Sequence, residues 1–192
     1  MISAAASAVT RFLADHFDAV VGADVASSML SRAQSLHADR DRITFVLNRA
    51  PNLEQFATAS FDVIYCCLVL QPIRPAIVEG YIAEFLRVLT PGGVLTFQLP
   101  GVTSVDSRRG SEEAPVVGSL KQRIPQPIVR AWRRLKYRFL TDPRVPVIEM
   151  FGMNRSAVEA VIARSGGRLL WAKPDHCHGP DGLGFEYWVT KP

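Results

Sequence analysis

A strand–helix–strand pattern between Ser60 and Pro100 constrains the fold more than any other feature of the sequence. It opens with SFDVIYCCLVL, a nearly continuous apolar run that is typical of a strand covered on both faces. A helix with one apolar face follows, and then Pro91-Gly92-Gly93 and a second β-rich run from Val94 to Leu99. Two such strands must be parallel and joined by a right-handed crossover. The sequence therefore predicts an α/β domain built on this unit.

The other segments predict further elements of the same kind. Periodicity and composition favour helices at Ser3–Phe17, Ser27–His37 and Asn154–Ser165, and strands at Ala19–Ala23, Ile43–Leu47, Arg168–Ala172 and Phe185–Thr190. No helix is predicted between the last two strands, so these are expected to pair antiparallel. Residues 1–192 are thus predicted to be a single domain in which residues 101–150 form an insert.

Composition limits the class of protein. The 192 residues contain 48% hydrophobic residues, which suffices for a real core and excludes a disordered chain. No run of about 18 uncharged apolar residues occurs, so no membrane span is expected. The N-terminal stretch lacks basic residues before its apolar part, which argues against a secretory signal. Adjacent cysteines in a predicted strand, Cys66 and Cys67, are expected to be thiols in a reducing compartment, so the sequence predicts a cytoplasmic protein.

The positive charge is concentrated in the insert. The chain carries a net charge of +4, yet eight basic residues and one acid lie between Lys121 and Arg144, so the remainder is net acidic. Residues Pro127–Leu140 predict an amphipathic helix whose basic positions are Arg130, Arg133, Arg134, Lys136 and Arg138. Such a helix suits an anionic acceptor or a membrane surface, or it covers the domain with its apolar stripe and leaves the charges in water. One short basic segment is too small a footprint to indicate nucleic-acid binding.

In combination, four stretches resemble a class I S-adenosylmethionine-dependent methyltransferase. These are VVGADVASSML, SFDVIYCCLVLQPI, EFLRVLTPGGVLTFQLP, and FGMNRSAVEAVIARSGGRLL with FEYWVTKP. The resemblance covers roughly Phe12 to Pro100 and Glu149 to Thr190. It implies a Rossmann-like methyltransferase sheet, mostly parallel with an antiparallel C-terminal strand, and S-adenosylmethionine as cofactor.

The resemblance also implies roles for individual residues. Asp24 follows a strand at the carboxyl edge of the sheet, where ligands of open α/β folds bind, and its carboxylate would accept both ribose hydroxyls. Asn48 would face the adenine amino group or would simply form a turn. The remaining implied contacts are Val25 and Met29 beside the ribose and adenine, and Cys67 and Leu68 at the methionine end.

Two departures from the family pattern stand out. No G-x-G occurs before Asp24, and the helix predicted from Ser3 leaves no room for the family's first, central strand. The sequence therefore predicts a sheet that lacks this strand, because the chain is a fragment, is a degenerate relative, or receives the strand from another segment or chain. In addition, Leu70-Gln71-Pro72 stands where many relatives have a histidine, so the catalytic residue remains unknown.

Metal chemistry has little support in the sequence. His176-Cys177-His178 is a cluster of metal-ligand types, but no second Cys or His pair completes a tetrahedral site. A loop that lines the acceptor pocket is the alternative for this segment.

Two functions follow from these observations. The first is methyl transfer from S-adenosylmethionine to a small-molecule, lipid or glycan acceptor. The second is a non-catalytic relative that acts as a binding or regulatory protein.

Overall fold

In a computed structural model, residues 2–4, 8–101, 150–175 and 184–192 are described, and they form a seven-stranded sheet with helices on its faces. The strand order is β3-β2-β1-β4-β5-β7-β6. Strands β1 to β5 pair in parallel, whereas β7 pairs antiparallel with β5 and with β6. The predicted α/β class and the antiparallel pairing of the last two strands are therefore confirmed.

The bounds of the elements are as follows. The strands are β1 Ile2–Ala4, β2 Val20–Asp24, β3 Ile43–Leu47, β4 Phe61–Cys66, β5 Leu89–Pro100, β6 Arg168–Asp175 and β7 Gly184–Thr190. The described helices are α1 Ala8–Ala14, α2 Ser27–Leu36, α3 Pro75–Val88 and α4 Arg155–Arg164.

The central position of the sheet is occupied, so the prediction of a missing first strand is wrong. The three-residue strand β1 lies between β2 and β4, with Ile2 opposite both Val21 and Ile64. The predicted helix from Ser3 fails for the same reason, because α1 begins only at Ala8. Alanine favours helices only weakly against tertiary pairing, and here β1 satisfies backbone groups of two neighbouring strands. In the sequence, Ala5, Ala6 and Ser7 separate β1 from α1, where the family has its glycine-rich loop.

The strand–helix–strand unit forms as predicted, with a different boundary. Helix α3 ends at Val88, and Pro91-Gly92-Gly93 lies within the long strand β5. Glycine suits this stretch, because Gly92 has a φ of +78° and a Cβ on Gly93 would lie 2.9 Å from the backbone oxygen of Asp62. The pairing of β4 with β5 shifts register between Phe61 and Val63, beside this tight passage.

The main core lies between the sheet and helices α3 and α4. It combines inward residues of β5 and β7, such as Leu95, Phe97 and Tyr187, with helix residues such as Ile82 and Val158. The parallel stack of Phe97 on Tyr187, with ring centroids 5.0 Å apart, joins the antiparallel strands within this core. The core therefore fixes the relative positions of β4, β5 and β7. It thereby also fixes the edge of the sheet at which β4 and β5 end.

Some predictions fall outside the described residues. These are the helix Pro127–Leu140 with its basic residues, and the His176-Cys177-His178 cluster. No described helix is long and apolar enough to cross a membrane. The described residues contain no group of three or more histidine, cysteine or acidic side chains that could hold a metal ion.

Candidate functional site

A cavity of about 400 Å³ opens at the carboxyl ends of β2 and β4. Its walls are the ends of these strands, residues 48–51 and Leu53 after β3, and one side of α3 that includes Ile77, Tyr81 and Phe85. Its lining is largely apolar, and Asp24 and Arg49 are its charged members. A cavity of this size and polarity is typical of a small-molecule or cofactor site, and its position at the carboxyl edge is where ligands of open α/β sheets bind.

Asp24 lies in this lining, at the last position of β2. Its Oδ1 accepts a hydrogen bond of 2.8 Å from the backbone N–H of Ala26, which fixes the side chain at the start of α2. The described residues donate no other side-chain hydrogen bond to this carboxylate, so its second oxygen can accept one from a ligand. Val25, predicted beside it, also lines the cavity and is 65% exposed.

Asn48 also lines the cavity, and its side chain organises the segment after β3. Its Nδ2 donates to the backbone oxygen of Asn52 at 3.0 Å, and its Oδ1 accepts from Gln55 Nε2 at 3.0 Å. Its backbone N–H donates to the oxygen of Asp24 at 2.9 Å. The turn-forming role that the sequence left open is therefore present, and Oδ1 retains a second lone pair for a ligand.

Helix α3 clamps the segment that lines the cavity. The guanidinium of Arg87 donates to the backbone oxygens of Leu53 at 2.9 Å and Phe56 at 3.0 Å, and it pairs with Glu84 at 2.7 Å. Glu84 in turn accepts from the backbone N–H of Leu53 at 2.8 Å. One turn earlier, the Tyr81 hydroxyl donates to the oxygen of Ala50 at 3.1 Å. This arrangement, which we call the α3 clamp, holds a segment without regular secondary structure in one position.

The α3 clamp should make stability depend on pH through Glu84. Hydrogen bonds from Arg87 and from the backbone N–H of Leu53 lower the pKa of Glu84 from its ordinary value of 4.5. Its contribution to stability is therefore complete above that value and is lost as the pH falls through the folded-state pKa. We expect Glu84→Gln to unfold at lower urea concentration than the parent chain at pH 7, and the difference to narrow below pH 4.5. Glu159→Gln, which breaks an exposed pair with Arg155, should show little difference at either pH.

The other predicted contacts lie outside the lining of the cavity. Met29 is 46% exposed on α2, and Cys67 and Leu68 follow β4 between lining residues Cys66 and Val69. Leu68 is 63% exposed and has a φ of +61°, a left-handed conformation that is rare for a leucine. An exposed, strained apolar residue beside a cavity is typical of functional positions.

Substitutions at Leu68 and at Leu70 should differ in their effect on the free energy of unfolding. Leu68→Gly relieves left-handed backbone strain of about 1–2 kcal/mol in the folded state. Glycine also increases the conformational entropy of the unfolded chain, which offsets part of this gain, so the free energy of unfolding should stay the same or rise slightly. Leu70→Ala empties a position that is 1% exposed and should cost about 2–5 kcal/mol. Urea unfolding of the two variants measures both effects. A marked loss of stability in Leu68→Gly would show that this side chain supports the fold rather than a ligand.

Three titratable groups of the cavity lining, Tyr65, Cys66 and Tyr81, keep their protons at neutral pH. Burial raises the pKa of the Cys66 thiol, and burial also raises the pKa of Tyr81. A hydrogen bond with Cys67, together with burial, raises the pKa of Tyr65. None of these three groups therefore supplies a general base at neutral pH.

The family model for a methyltransferase domain matches residues 2–97, which is half of the chain. The match includes β1 to β4, most of β5 and all lining residues of the cavity. The chain belongs to this family. S-adenosylmethionine is the cofactor that membership implies. A comparison with curated proteins gives no significant match.

Solved structures show the same methyltransferase fold at low sequence identity. A S-adenosylmethionine-dependent methyltransferase from Methanosarcina mazei is 16% identical with a TM-score of 0.67, covering 99% of this chain and 91% of its own. Magnesium protoporphyrin IX methyltransferase from Synechocystis, solved with bound S-adenosylhomocysteine, is 12% identical with a TM-score of 0.63, covering 100% and 73%. A [4+2]-cyclase shares the fold at 15% identity and a TM-score of 0.65, covering 100% and 74%.

The cavity of this methyltransferase fits the adenosine part of the cofactor. It offers an apolar volume for a planar base, and Asp24 presents a carboxylate at its edge for hydroxyl groups. Sequence reasoning found Asp24, Val25 and Asn48 but missed the contribution of α3. The missed signal was the spacing of Ile77, Tyr81 and Phe85, four residues apart on one helix face, which the pattern indicated only as core.

Proposed function

We propose that this methyltransferase transfers a methyl group from S-adenosylmethionine to a small-molecule, lipid or glycan acceptor. Bound S-adenosylmethionine would supply an electrophilic methyl group on a positively charged sulfur. The protein's own contribution is to bind and orient the reactants, and proximity of this kind can lower a barrier by about 7–11 kcal/mol.

The observation that carries the proposal is the position of Asp24 on the apolar cavity. Its carboxylate is fixed by Ala26 at one oxygen, and it lies at the carboxyl edge beside the segment that the α3 clamp holds. Asp24 would bind the ribose hydroxyls, with Val25 and Asn48 beside the nucleoside. Cys67 and Leu68 follow lining residue Cys66, and Met29 lies on α2 four residues after lining residue Val25. These three residues would contact the cofactor where it extends beyond the lining.

The alternative is a methyltransferase-like protein without catalytic activity. The absence of G-x-G before Asp24 and the proline after Gln71 support it, because the first removes a close backbone approach and the second leaves no histidine after β4. A cytoplasmic location stays a prediction from the sequence in either case. Contact with an anionic acceptor or a membrane surface is likewise only a prediction for Arg130, Arg133, Arg134, Lys136 and Arg138. The alternative is a helix that covers the domain with its apolar stripe and leaves these charges in water.

Titration calorimetry of the 192-residue chain with S-adenosylhomocysteine tests the proposal. Saturable binding to a folded sample supports it, and transfer of radiolabelled methyl groups to pooled small molecules, lipids and glycans would then be measured. Absence of binding by a chain whose circular dichroism shows the α/β fold would overturn it and favour the non-catalytic alternative.

A further inference from the structure

A second group of functional side chains lies on the opposite face of the sheet from α3 and α4. Strand register places Tyr65, Thr96 and Trp188 side by side on β4, β5 and β7. Two residues nearer the carboxyl end of β5, Gln98 lies opposite Glu186 on the same face. We call these five residues the β5–β7 patch.

The described helices on this side of the sheet lie over its other half. Residues of one register row share a face, and Gly22 belongs to the row of Tyr65 through β1. Phe45 covers Gly22, and His37 at the end of α2 stacks on Phe45 with ring centroids 6.0 Å apart. Helices α1 and α2 therefore pack on β2 and β3, away from the β5–β7 patch.

The β5–β7 patch contains buried polar atoms to which the described residues offer no hydrogen-bond partner. Thr96 is 4% exposed, and neither its Oγ1 nor the Oε1 of Gln98 has a hydrogen-bond partner in the part of the chain that the structure describes. An unsatisfied buried polar group costs about 1–3 kcal/mol, so a native structure retains one for a reason. The carboxylate of Glu186, beside them, accepts one hydrogen bond of 2.9 Å from Trp188 Nε1.

These groups share one chemical preference. The amide oxygen of Gln98 and the carboxylate of Glu186 only accept hydrogen bonds, and the Thr96 hydroxyl can accept one. Aromatic rings surround them, because Trp188 and Tyr65 belong to the patch and Trp171 meets Trp188 edge-on at 5.5 Å. Acceptor oxygens, one negative charge and aromatic rings complement a ligand that carries a protonated amine.

A lysine of the protein is the competing partner for Glu186. Lys173 lies opposite Glu186 on β6, but its side chain is exposed, and the ion pairs of the described residues do not include this one. Within the described part of the chain, no cation therefore pairs with the carboxylate of Glu186.

We propose that the β5–β7 patch binds the methyl acceptor through a protonated amine group. The identification of the ligand as the methyl acceptor rests on the proposed methyltransferase function. The β5–β7 patch shares Tyr65 with the lining of the cavity, but amine binding can be measured without the cofactor. Gly22 and Thr96 belong to one register row and lie three strands apart, about 14 Å along the sheet. Asp24 and Gln98 each lie two residues beyond that row, towards the carboxyl ends of β2 and β5. At this distance, Asp24 and the β5–β7 patch would bind two different ligands, such as the cofactor and the acceptor.

The indole N–H of Trp188 provides a direct probe of the β5–β7 patch, because it is bonded to Glu186. A sample with ¹⁵N-labelled tryptophan is titrated with 2-phenylethylamine and, as a neutral match, with 2-phenylethanol, and Trp188→Phe assigns the signal. We expect a saturable shift of the Trp188 signal with the amine and at least about tenfold weaker binding of the alcohol.

Substitution of Glu186 separates charge from structure. Glu186→Gln keeps an oxygen for Trp188 but removes the charge, and it should reduce the preference for the amine about tenfold. Glu159→Gln, on α4 at the other face of the sheet, should leave it unchanged. Equal responses to amine and alcohol, no saturable shift with the amine, or an unaltered preference in Glu186→Gln would each overturn the proposal.

Binding of S-adenosylhomocysteine, measured on the same samples, distinguishes this inference from the proposed function. If the amine site is correct, Glu186→Gln binds S-adenosylhomocysteine as the parent chain does. If the chain binds the amine but not S-adenosylhomocysteine, the amine site is supported and the proposed methyltransferase function is overturned. If it binds S-adenosylhomocysteine but not the amine, only the amine site is overturned.

Discussion

Replacing Asp24 by alanine is expected to weaken binding of S-adenosylhomocysteine about 10–100-fold. The carboxylate lines the cavity and is held by the N–H of Ala26, so it would accept ribose hydroxyls without first being ordered. Hydrogen bonds to a charged group contribute about 1.5–3 kcal/mol, which corresponds to that loss of affinity. Titration calorimetry of the parent and variant chains measures the ratio directly.

Two further variants make the Asp24 result interpretable. Asp24→Asn keeps an acceptor for Ala26 and should bind with intermediate affinity, while Asp39→Ala removes an exposed acid outside the lining and should bind as the parent does. Unfolding midpoints of all three should lie close to that of the parent. Unchanged affinity in Asp24→Ala would remove the residue from the cofactor site.

Replacing Arg87 by alanine is expected to lower the free energy of unfolding by about 2–3 kcal/mol. The change leaves the oxygens of Leu53 and Phe56 without their donor and leaves Glu84 without its cation. For a domain of this size, the loss corresponds to a fall in Tm of about 5–10 °C. Because the α3 clamp holds a wall of the cavity, affinity for S-adenosylhomocysteine should fall as well.

An exposed arginine pair gives the matched control for Arg87. Arg164 pairs with Glu79 at the surface, and Arg164→Ala should change the unfolding free energy by less than about 1 kcal/mol. Arg87→Lys keeps the charge but not the fork of donors, so it should recover only part of the stability. Equal effects at Arg87 and Arg164 would contradict the clamp.

Local patterns predicted the strong elements of the fold. Residues close together in the sequence show the apolar run at Phe61–Cys66 and the helical spacing within Pro75–Val88. The structure has a strand at the first and a helix at the second. The strand Ile2–Ala4 could not be predicted in this way. Three residues carry no periodicity, and what makes them a strand is pairing with β2 and β4, which are distant in sequence.

In the candidate site, too, local patterns predicted some features, whereas others depend on contacts between residues that are distant in sequence. Asp24 follows a recognisable strand, so its position at the sheet edge follows from the sequence. The α3 clamp joins residues about 30 positions apart, such as Arg87 with Phe56, and no local pattern records such contacts. Likewise, the unsatisfied oxygens of Thr96 and Gln98 appear only when β4, β5 and β7 are placed side by side.

The short central strand separates two parts of the described fold, which we expect to open as separate cooperative units. One contains β2, β3, α1 and α2, and the other contains β4 to β7 with α3 and α4. Ile2–Ala4 and the segment held by the α3 clamp join them, so local opening should separate these units more easily than it disrupts either one. The cavity lies across their boundary, with Asp24 on the first unit and Ile64 on the second. A nucleoside bound there acts as a non-covalent cross-link, and by mass action it would make the whole domain unfold as one unit.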